Sequence, residues 1–157
     1  MKASRNLTLK LAAPTDTATI AVMSRELIET GLPWTWTPER VARNLSQPDT
    51  LVLTARDAAV LAGFGIMQFG DERAHLSLLA VRPDYQRQGI AQRMLEWLTA
   101  SALTAGIASI HLELREINLV ARRFYLSQGF AETARITGYY RGVETAVRMQ
   151  REISVKP

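Results

Sequence analysis

The sequence predicts a mixed α/β (α+β) sheet of about seven strands with helices on both faces, carried by a single domain, 1–157. Three observations lead there. Strand-like alternation and helix-like periodicity follow one another in the order strand, two helices, three strands, helix, strand, helix, two strands. A helical crossover joins the strands on either side of the third helix, so those two run parallel, while the meander strands around them run antiparallel. The chain has 157 residues, 47% hydrophobic and 22% charged, which is enough for one core of its own.

Each element has a local reason. Leu7 to Ala12 alternates as a first strand, and Pro14 ends it. Thr15 or Asp16 caps a helix to about Thr30 with Ile20, Met23, Leu27 and Ile28 on one face, and Gly31 and Pro33 stop it. After Trp34 and Trp36, Thr37 caps a second helix with Pro38 at its first position, Val41 and Leu45 inward, and Pro48 at its close. Thr50 to Ala55 is a strand, and Arg56 to Ala59 a turn. Val60 to Phe69 is the next strand, where Gly63 and Gly65 signal a bulge or a close approach. Gly70 to Arg73 turns into an apolar strand ending at Val81. The third helix runs from about Gln88 to Ala105, burying Ile90, Met94, Leu95, Leu98 and Ala102, with Gly106 as its cap. Ile107 to Arg115 is the fifth strand, and Asn118 to Ser127 a short helix stopped at Gln128-Gly129. Phe130 to Tyr140 and Thr145 to Ile153 are paired strands around a turn at Arg141-Gly142.

Composition removes several function classes. The chain has no cysteine, which excludes a disulfide scaffold, a zinc–thiolate site and a cysteine nucleophile. Its two histidines, His75 and His111, argue against a histidine-built metal centre, so no metal is expected. The first residues, MKASRNLTLKLAAP, lack the apolar core of a signal peptide, and no run approaches a membrane span. A cytoplasmic location without membrane contact is the expectation. The net charge of +4 suits a polyanionic ligand or an ordinary basic surface. Nucleic acid is disfavoured, because no dense Lys/Arg run carries interleaved aromatics.

The stretch Leu76 to Ala91, LSLLAVRPDYQRQGIA, joins an apolar strand, an Arg82-Pro83 break and a glycine-bearing turn that opens into a helix. The first N–H groups of a helix lack intrahelical partners, and the helix dipole favours negative charge there. Gly89 removes a side chain where a phosphate would approach backbone, and Arg82, Arg87 and Arg93 add positive charge. No Gly-Lys-Ser/Thr follows, so this is not a nucleotide P-loop, and only one of the three Rossmann glycines is present. An ordinary strand-to-helix turn is the plain alternative. A second constellation runs from His111 to Phe130. His111, Glu113 and Arg115 share one strand face, and Asn118, Ala121 or Arg122, and Tyr125 share one side of the following helix.

These two stretches carry a resemblance. Gln86-Arg87-Gln88-Gly89-Ile90-Ala91, after Val81-Arg82-Pro83, resembles the acyl-CoA pyrophosphate loop of the GNAT acetyltransferase superfamily, Gln/Arg-x-x-Gly-x-Gly/Ala. Asn118, Phe124-Tyr125 and Gly129-Phe130 follow in that superfamily's order. Within it the chain looks most like the bacterial ribosomal-protein alanine N-acetyltransferases, through Tyr85 to Gly89, Leu112 to Asn118, the Tyr139-Tyr140 pair and Pro33-Trp34. The likeness is dense from Val81 to Tyr140. The stretch after Tyr140 is shorter than in that subfamily, with Arg141-Gly142 in place of a longer acidic turn, which leaves the acceptor open.

The resemblance implies a GNAT fold and acetyl-CoA as co-substrate. It implies direct attack of a primary amine in a ternary complex, without an acyl-enzyme. Gln86, Arg87, Gln88, Gly89, Ile90 and Ala91 would hold the pyrophosphate. The backbone of Leu79, Ala80 and Val81 would hold the pantetheine like an added strand. Asn118 would hydrogen-bond the pantetheine arm, with a simple helix cap as its plainer role, and Ala121, Phe124 and Tyr125 would contact the cofactor. The reaction needs a deprotonated amine, donors for an oxyanion and a proton for the leaving thiolate. Glu113 is then the expected general base, directly or through a water, with His75 and Glu72 in reserve. Tyr125 is the expected general acid. Trp34 and Tyr139 would line the acceptor site, although a tryptophan beside prolines is as often a core anchor. The acceptor is a protein N-terminal amine or, alternatively, a small-molecule amine. A non-catalytic acyl-CoA sensor needs the loop but neither Glu113 nor Tyr125. A homodimer is compatible with the resemblance.

Overall fold

The computed structural model describes residues 7–154; the first part of the segment read for a signal peptide, residues 1–6, lies outside them. Seven strands hydrogen-bond in the order β1-β2-β3-β4-β5-β7-β6, with four α-helices: the mixed sheet expected from the sequence. The strands are β1 Leu7–Leu11, β2 Thr50–Asp57, β3 Val60–Phe69, β4 Arg73–Val81, β5 Ser109–Arg115, β6 Ala131–Tyr140 and β7 Glu144–Glu152. The helices are α1 Thr17–Leu27, α2 Pro38–Leu45, α3 Ile90–Thr104 and α4 Leu119–Ser127. β4 and β5 pair in parallel from Arg73↔Ser109 to His75↔His111. β1/β2, β5/β7 and β6/β7 are antiparallel.

The chain forms two compact units, residues 7–67 with Leu78–Leu98, and Gln68–Ser77 with residues 99–154. In the first, Ile20, Ala21 and Met23 of α1 and Val41 of α2 bury against Val52, Leu61, Phe64, Ile66, Leu78 and Ala80. Strand alternation then turns Gly63 and Gly65 of β3 to the other face, where α3 lies. A Cβ on Gly63 would stand 2.9 Å from the Ala80 carbonyl oxygen and 3.0 Å from Met94 Cε, and one on Gly65 3.2 Å from Leu98 Cδ1. Close approach, rather than a bulge, is what these glycines serve, and this part of the sheet carries helices on both faces.

Several ends differ from expectation. A 3₁₀ turn, Pro14–Asp16, precedes α1, because the Asp16 carboxylate is drawn to the Ala13 N–H (2.7 Å) and the Arg56 guanidinium. α1 stops at Leu27 rather than Thr30, because the Ile28 and Glu29 N–H groups both turn back to the Ser24 carbonyl. The buried Glu29 carboxylate then accepts from Ser24 Oγ (2.9 Å), Thr35 N (2.8 Å) and Trp36 N (3.3 Å), tying the loop that carries both tryptophans. β2 runs on to Asp57, leaving Ala58 (φ 53°) at the turn. Thr37 caps α2 as expected, its Oγ1 accepting from Arg40 N.

In the second unit, β5 pairs with β7 along its whole length, Ser109↔Glu152 to Arg115↔Ala146. Ile110, Leu112 and Leu114 alternate inward with Ala146, Val147 and Met149 among the buried residues. His111, Glu113 and Arg115 therefore share the opposite face, as the period of two requires. β6 meets β7 with register shifts between Glu132 and Ala134 and between Ile136 and Tyr140. Gly138 (φ 69°) lies in the second shift, just ahead of Tyr139 and Tyr140.

Candidate functional site

In the first unit the turn between β4 and α3 is held from several sides. Arg82 N donates to the Ala62 carbonyl (2.8 Å) and Arg82 Nε to that of Leu61 (2.7 Å). The Tyr85 hydroxyl donates to Asp57 Oδ2 (2.7 Å), and the Gln86 amide to the Val81 carbonyl (3.0 Å). Arg87 (φ 62°) and Gly89 (φ 77°) are both left-handed. This reversal points successive N–H groups outward. The first backbone bond into α3 runs from Arg93 N to the Gly89 carbonyl (3.0 Å), and no backbone carbonyl among the described residues accepts from the N–H groups of residues 87–92. Gln86, Arg87, Gln88 and Gly89 are exposed, Ala91 is half-buried and Ile90 is buried. No heavy atom lies within 4 Å of the place a Gly89 Cβ would take. The turn is a preformed, open cradle of donors at the N-terminus of a fifteen-residue helix, suited to an anion.

Within that cradle the predicted residues divide. Arg87 to Ala91 supply backbone. Gln86 spends its side-chain amide on Val81, so it holds the turn in place. The Val81 carbonyl is taken by that bond, while Ala80 and Val81 are buried and Leu79 half-buried.

The second unit gathers side chains instead. An open cavity of about 380 Å³ is lined by Arg73, Ala74, His75, His111, Glu113 and Arg148. Glu113, whose side chain is 11% exposed, lies at its centre. Its Oε1 is 2.7 Å from His75 Nε2, its Oε2 accepts from Arg148 Nε (3.0 Å), and the Tyr139 hydroxyl stands 3.5 Å from Oε1. The hydrogen bond from His75, the charge of its imidazole and the Arg148 guanidinium outweigh partial burial and hold the Glu113 carboxyl down to about 2 from 4.5. His75 Nδ1 lies 3.1 Å from Ser77 Oγ. Beside them His111 is buried, with Ser109 Oγ 2.8 Å from its Nε2 and the Arg73 guanidinium against its ring. Burial first, and Arg73 second, lower its pKa and favour the neutral imidazole.

Sequence reasoning placed Glu113 and Tyr139 without showing that they meet. It held His75 in reserve, and the hydrogen bond to Glu113 brings it to the centre. Glu72 is exposed and spends its backbone carbonyl on the Ala108 N–H. Arg148 was missed; β7 also carries Glu144, Arg151 and Glu152, so nothing local singles it out. Ser77 was missed too, though it shares the His75 face two residues on.

On α4, Asn118 is the cap, its Oδ1 accepting from Ala121 N (3.1 Å). Its side-chain NH₂ is not used in that bond. Tyr125 is buried, its ring edge-on to Phe124 (5.1 Å) and to Phe130 (5.4 Å). Burial raises its hydroxyl pKa, so the phenol stays protonated. Ala121 and Phe124 are half-buried. In the first unit, Trp34 is half-buried against the core, its Nε1 donating to the Ala21 carbonyl (3.1 Å) with Arg25 over its ring. That is the anchoring role that competed with an acceptor-lining one.

No helix among the described residues is long and apolar enough to cross a membrane, and among them no cluster of His, Asp or Glu could hold a metal.

Comparison with known proteins bears on these features together. The family model described as the acetyltransferase (GNAT) domain matches residues 19–153. The [ribosomal protein bS18]-alanine N-acetyltransferase of Salmonella typhimurium is 38% identical over 108 residues, 67% of this chain and 72% of that one. Its Escherichia coli K12 counterpart is 39% identical over 98 residues, 60% of this chain and 66% of that one. The crystal structure of the ribosomal-protein-S18-alanine N-acetyltransferase from Escherichia coli superposes with a TM-score of 0.82 at 30% identity, covering 96% of each chain. An N-acetyltransferase from Thermoplasma acidophilum, solved with coenzyme A, shares the fold at a TM-score of 0.77 and 20% identity, over 94% of this chain and 99% of that one. The chain is thus an acyltransferase of the N-acetyltransferase class, and it belongs to the GNAT acetyltransferase family.

Proposed function

We propose that the protein transfers an acetyl group from acetyl-CoA to a primary amine by direct attack, and that the acceptor is a protein N-terminal amine. The open run of N–H groups at residues 87–92 carries this reading, because a CoA pyrophosphate is the polyanion such a cradle accepts. Arg87, Gln88, Gly89, Ile90 and Ala91 bind it through backbone, and Gln86 positions them. The backbone of Leu79 and Ala80 and the Asn118 amide serve the pantetheine, and Ala121 and Phe124 border it. Tyr125, kept protonated by burial, supplies the thiolate's proton. Glu113 is the carboxylate that draws and prepares the acceptor ammonium, beside Tyr139. Trp34 orders the loop ahead of α2.

The N-terminal acceptor is supported by the names of the relatives at 38–39% identity. A small-molecule amine is the second reading, favoured by the short Arg141-Gly142 turn. The test is thiol release from acetyl-CoA with peptides bearing free N-terminal alanine or serine, against a panel of small amines, with Tyr125→Phe as control. Saturable release with peptides, lost in Tyr125→Phe, is expected. Release with small amines alone would move the acceptor to metabolites. Acetyl-CoA binding without release in either arm would favour a sensor module.

A further inference from the structure

We propose that His75 is the proton acceptor for the incoming amine, that its Nδ1 is the basic atom, and that Glu113 is a positioning residue holding the imidazole by Nε2. This rests on the acetyl-transfer reading above and adds to it which atom takes the proton.

The argument begins with hydrogen-bond capacity. An ionised carboxylate only accepts. Glu113 takes Arg148 on Oε2 and His75 Nε2 on Oε1 at 2.7 Å, so the shared proton sits on His75 Nε2. A neutral imidazole has one N–H, so the other nitrogen, Nδ1, carries the lone pair. Ser77 Oγ, 3.1 Å from Nδ1, then donates to it. Glu113, His75 and Ser77 thus form a chain of two hydrogen bonds with one orientation. The carboxylate fixes tautomer and ring, and the serine hydroxyl stands at the basic nitrogen. The His75 side chain is 41% exposed, against 11% for Glu113, so within the cavity the imidazole is the more accessible of the two.

The surroundings favour this division. A carboxylate bonded on both oxygens, by Arg148 Nε and by His75 Nε2, is the fixed acceptor of the pair rather than the free base. Its charge stabilises an imidazolium forming 2.7 Å away. The groups facing His75 are Ser77 and Arg73 on β4, His111 opposite it on β5 beside Glu113, Arg148 on β7, and Tyr139 on β6 through Glu113. Arg148 is taken up by Glu113, and Arg73 by the neutral His111.

In the step, the acceptor ammonium gives one proton to Ser77 Oγ, which passes its own to Nδ1. The nitrogen lone pair forms the bond to the thioester carbonyl carbon. The carbon–sulfur bond breaks, its electron pair leaving with sulfur. Tyr125 gives its hydroxyl proton to sulfur, and the second proton leaving nitrogen returns through solvent to the Tyr125 phenolate. Amide and thiol result, and the imidazolium releases its proton to solvent.

The test uses the full chain labelled with ¹⁵N-histidine. With two histidines, H75Q assigns both sets of ring signals in long-range ¹H–¹⁵N spectra. The neutral His75 ring is expected as the Nε2–H tautomer, with that preference lost in E113Q. An Nδ1–H tautomer overturns the proposal, whether or not H75Q folds. The second readout is the pH profile of kcat/KM in the thiol-release assay. H75Q is expected to lose ~10²-fold or more and to change the shape of the profile. An active wild type whose H75Q variant keeps rate and profile overturns the inference alone. A wild type silent with both peptides and amines refutes the acetyl-transfer reading, and the inference falls with it.

Discussion

The turn at residues 87–92 and the cluster around Glu113 are built of opposite materials. The turn offers backbone N–H groups, set by two left-handed residues and a helix start, and the side chains of Arg82, Tyr85 and Gln86 serve to anchor it. The cluster offers side chains from four strands, His75, Glu113, Tyr139 and Arg148, each holding another. A backbone cradle recognises a class of ligand and survives most substitutions. A side-chain network does chemistry, and removing one member leaves its partners unpaired. Mutations in the first should change binding, and mutations in the second should change turnover.

The largest expected effect breaks the cluster. Glu113→Gln should lower kcat by ~10²–10⁴-fold, with acetyl-CoA affinity by calorimetry unchanged. A comparable loss of affinity would blur the contrast. Tyr125→Phe should lower kcat by about 10²-fold, within the range for one proton-transfer group. Full turnover in that variant would retire Tyr125 as the acid.

Gly89→Ala tests the cradle. No atom obstructs the added Cβ, so the cost is conformational, ~1–2 kcal/mol for a left-handed alanine. The expected result is about a tenfold rise in the acetyl-CoA dissociation constant with kcat nearly unchanged. A change confined to kcat would place Gly89 in the chemistry instead. Among these effects acid stability should move least. The Glu113 carboxyl is lowered in the folded state from 4.5 to about 2, so its contribution is complete above pH 4.5 and lost as pH falls from there toward 2. The Tm gap between wild type and Glu113→Gln should narrow across that window. A constant gap would mean that the charge of Glu113 adds nothing to stability.

The same contrast explains what was legible in advance. Gln86 to Ala91 is contiguous, and its geometry follows from local rules: a strand end, a proline, a glycine, a helix start. Element order was legible because periods of 2 and 3.6 are local as well. Several element ends were not. α1 stops at Leu27 because a buried Glu29 recruits Ser24, Thr35 and Trp36, partners unknown until the loop closes. Gly63 and Gly65 advertised a backbone peculiarity, and only the packing of Met94 and Leu98 against them made it a close approach. Trp34 had two readings, core anchor and acceptor lining, and only the closed loop gave it the bond to the Ala21 carbonyl.

By itself the sequence determined the order of seven strands and four helices, the absence of cysteine chemistry, and a glycine-bearing turn that opens the third helix. All of these are written in neighbouring residues. Which side chains meet Glu113 was decided by tertiary structure alone. His75 and Arg148 lie 38 and 35 positions from it, and strand registers bring them within 3.0 Å. Register is a property of pairing between strands, set by burial of Ile110, Leu112 and Leu114 on the other face of the sheet, and no local pattern encodes it.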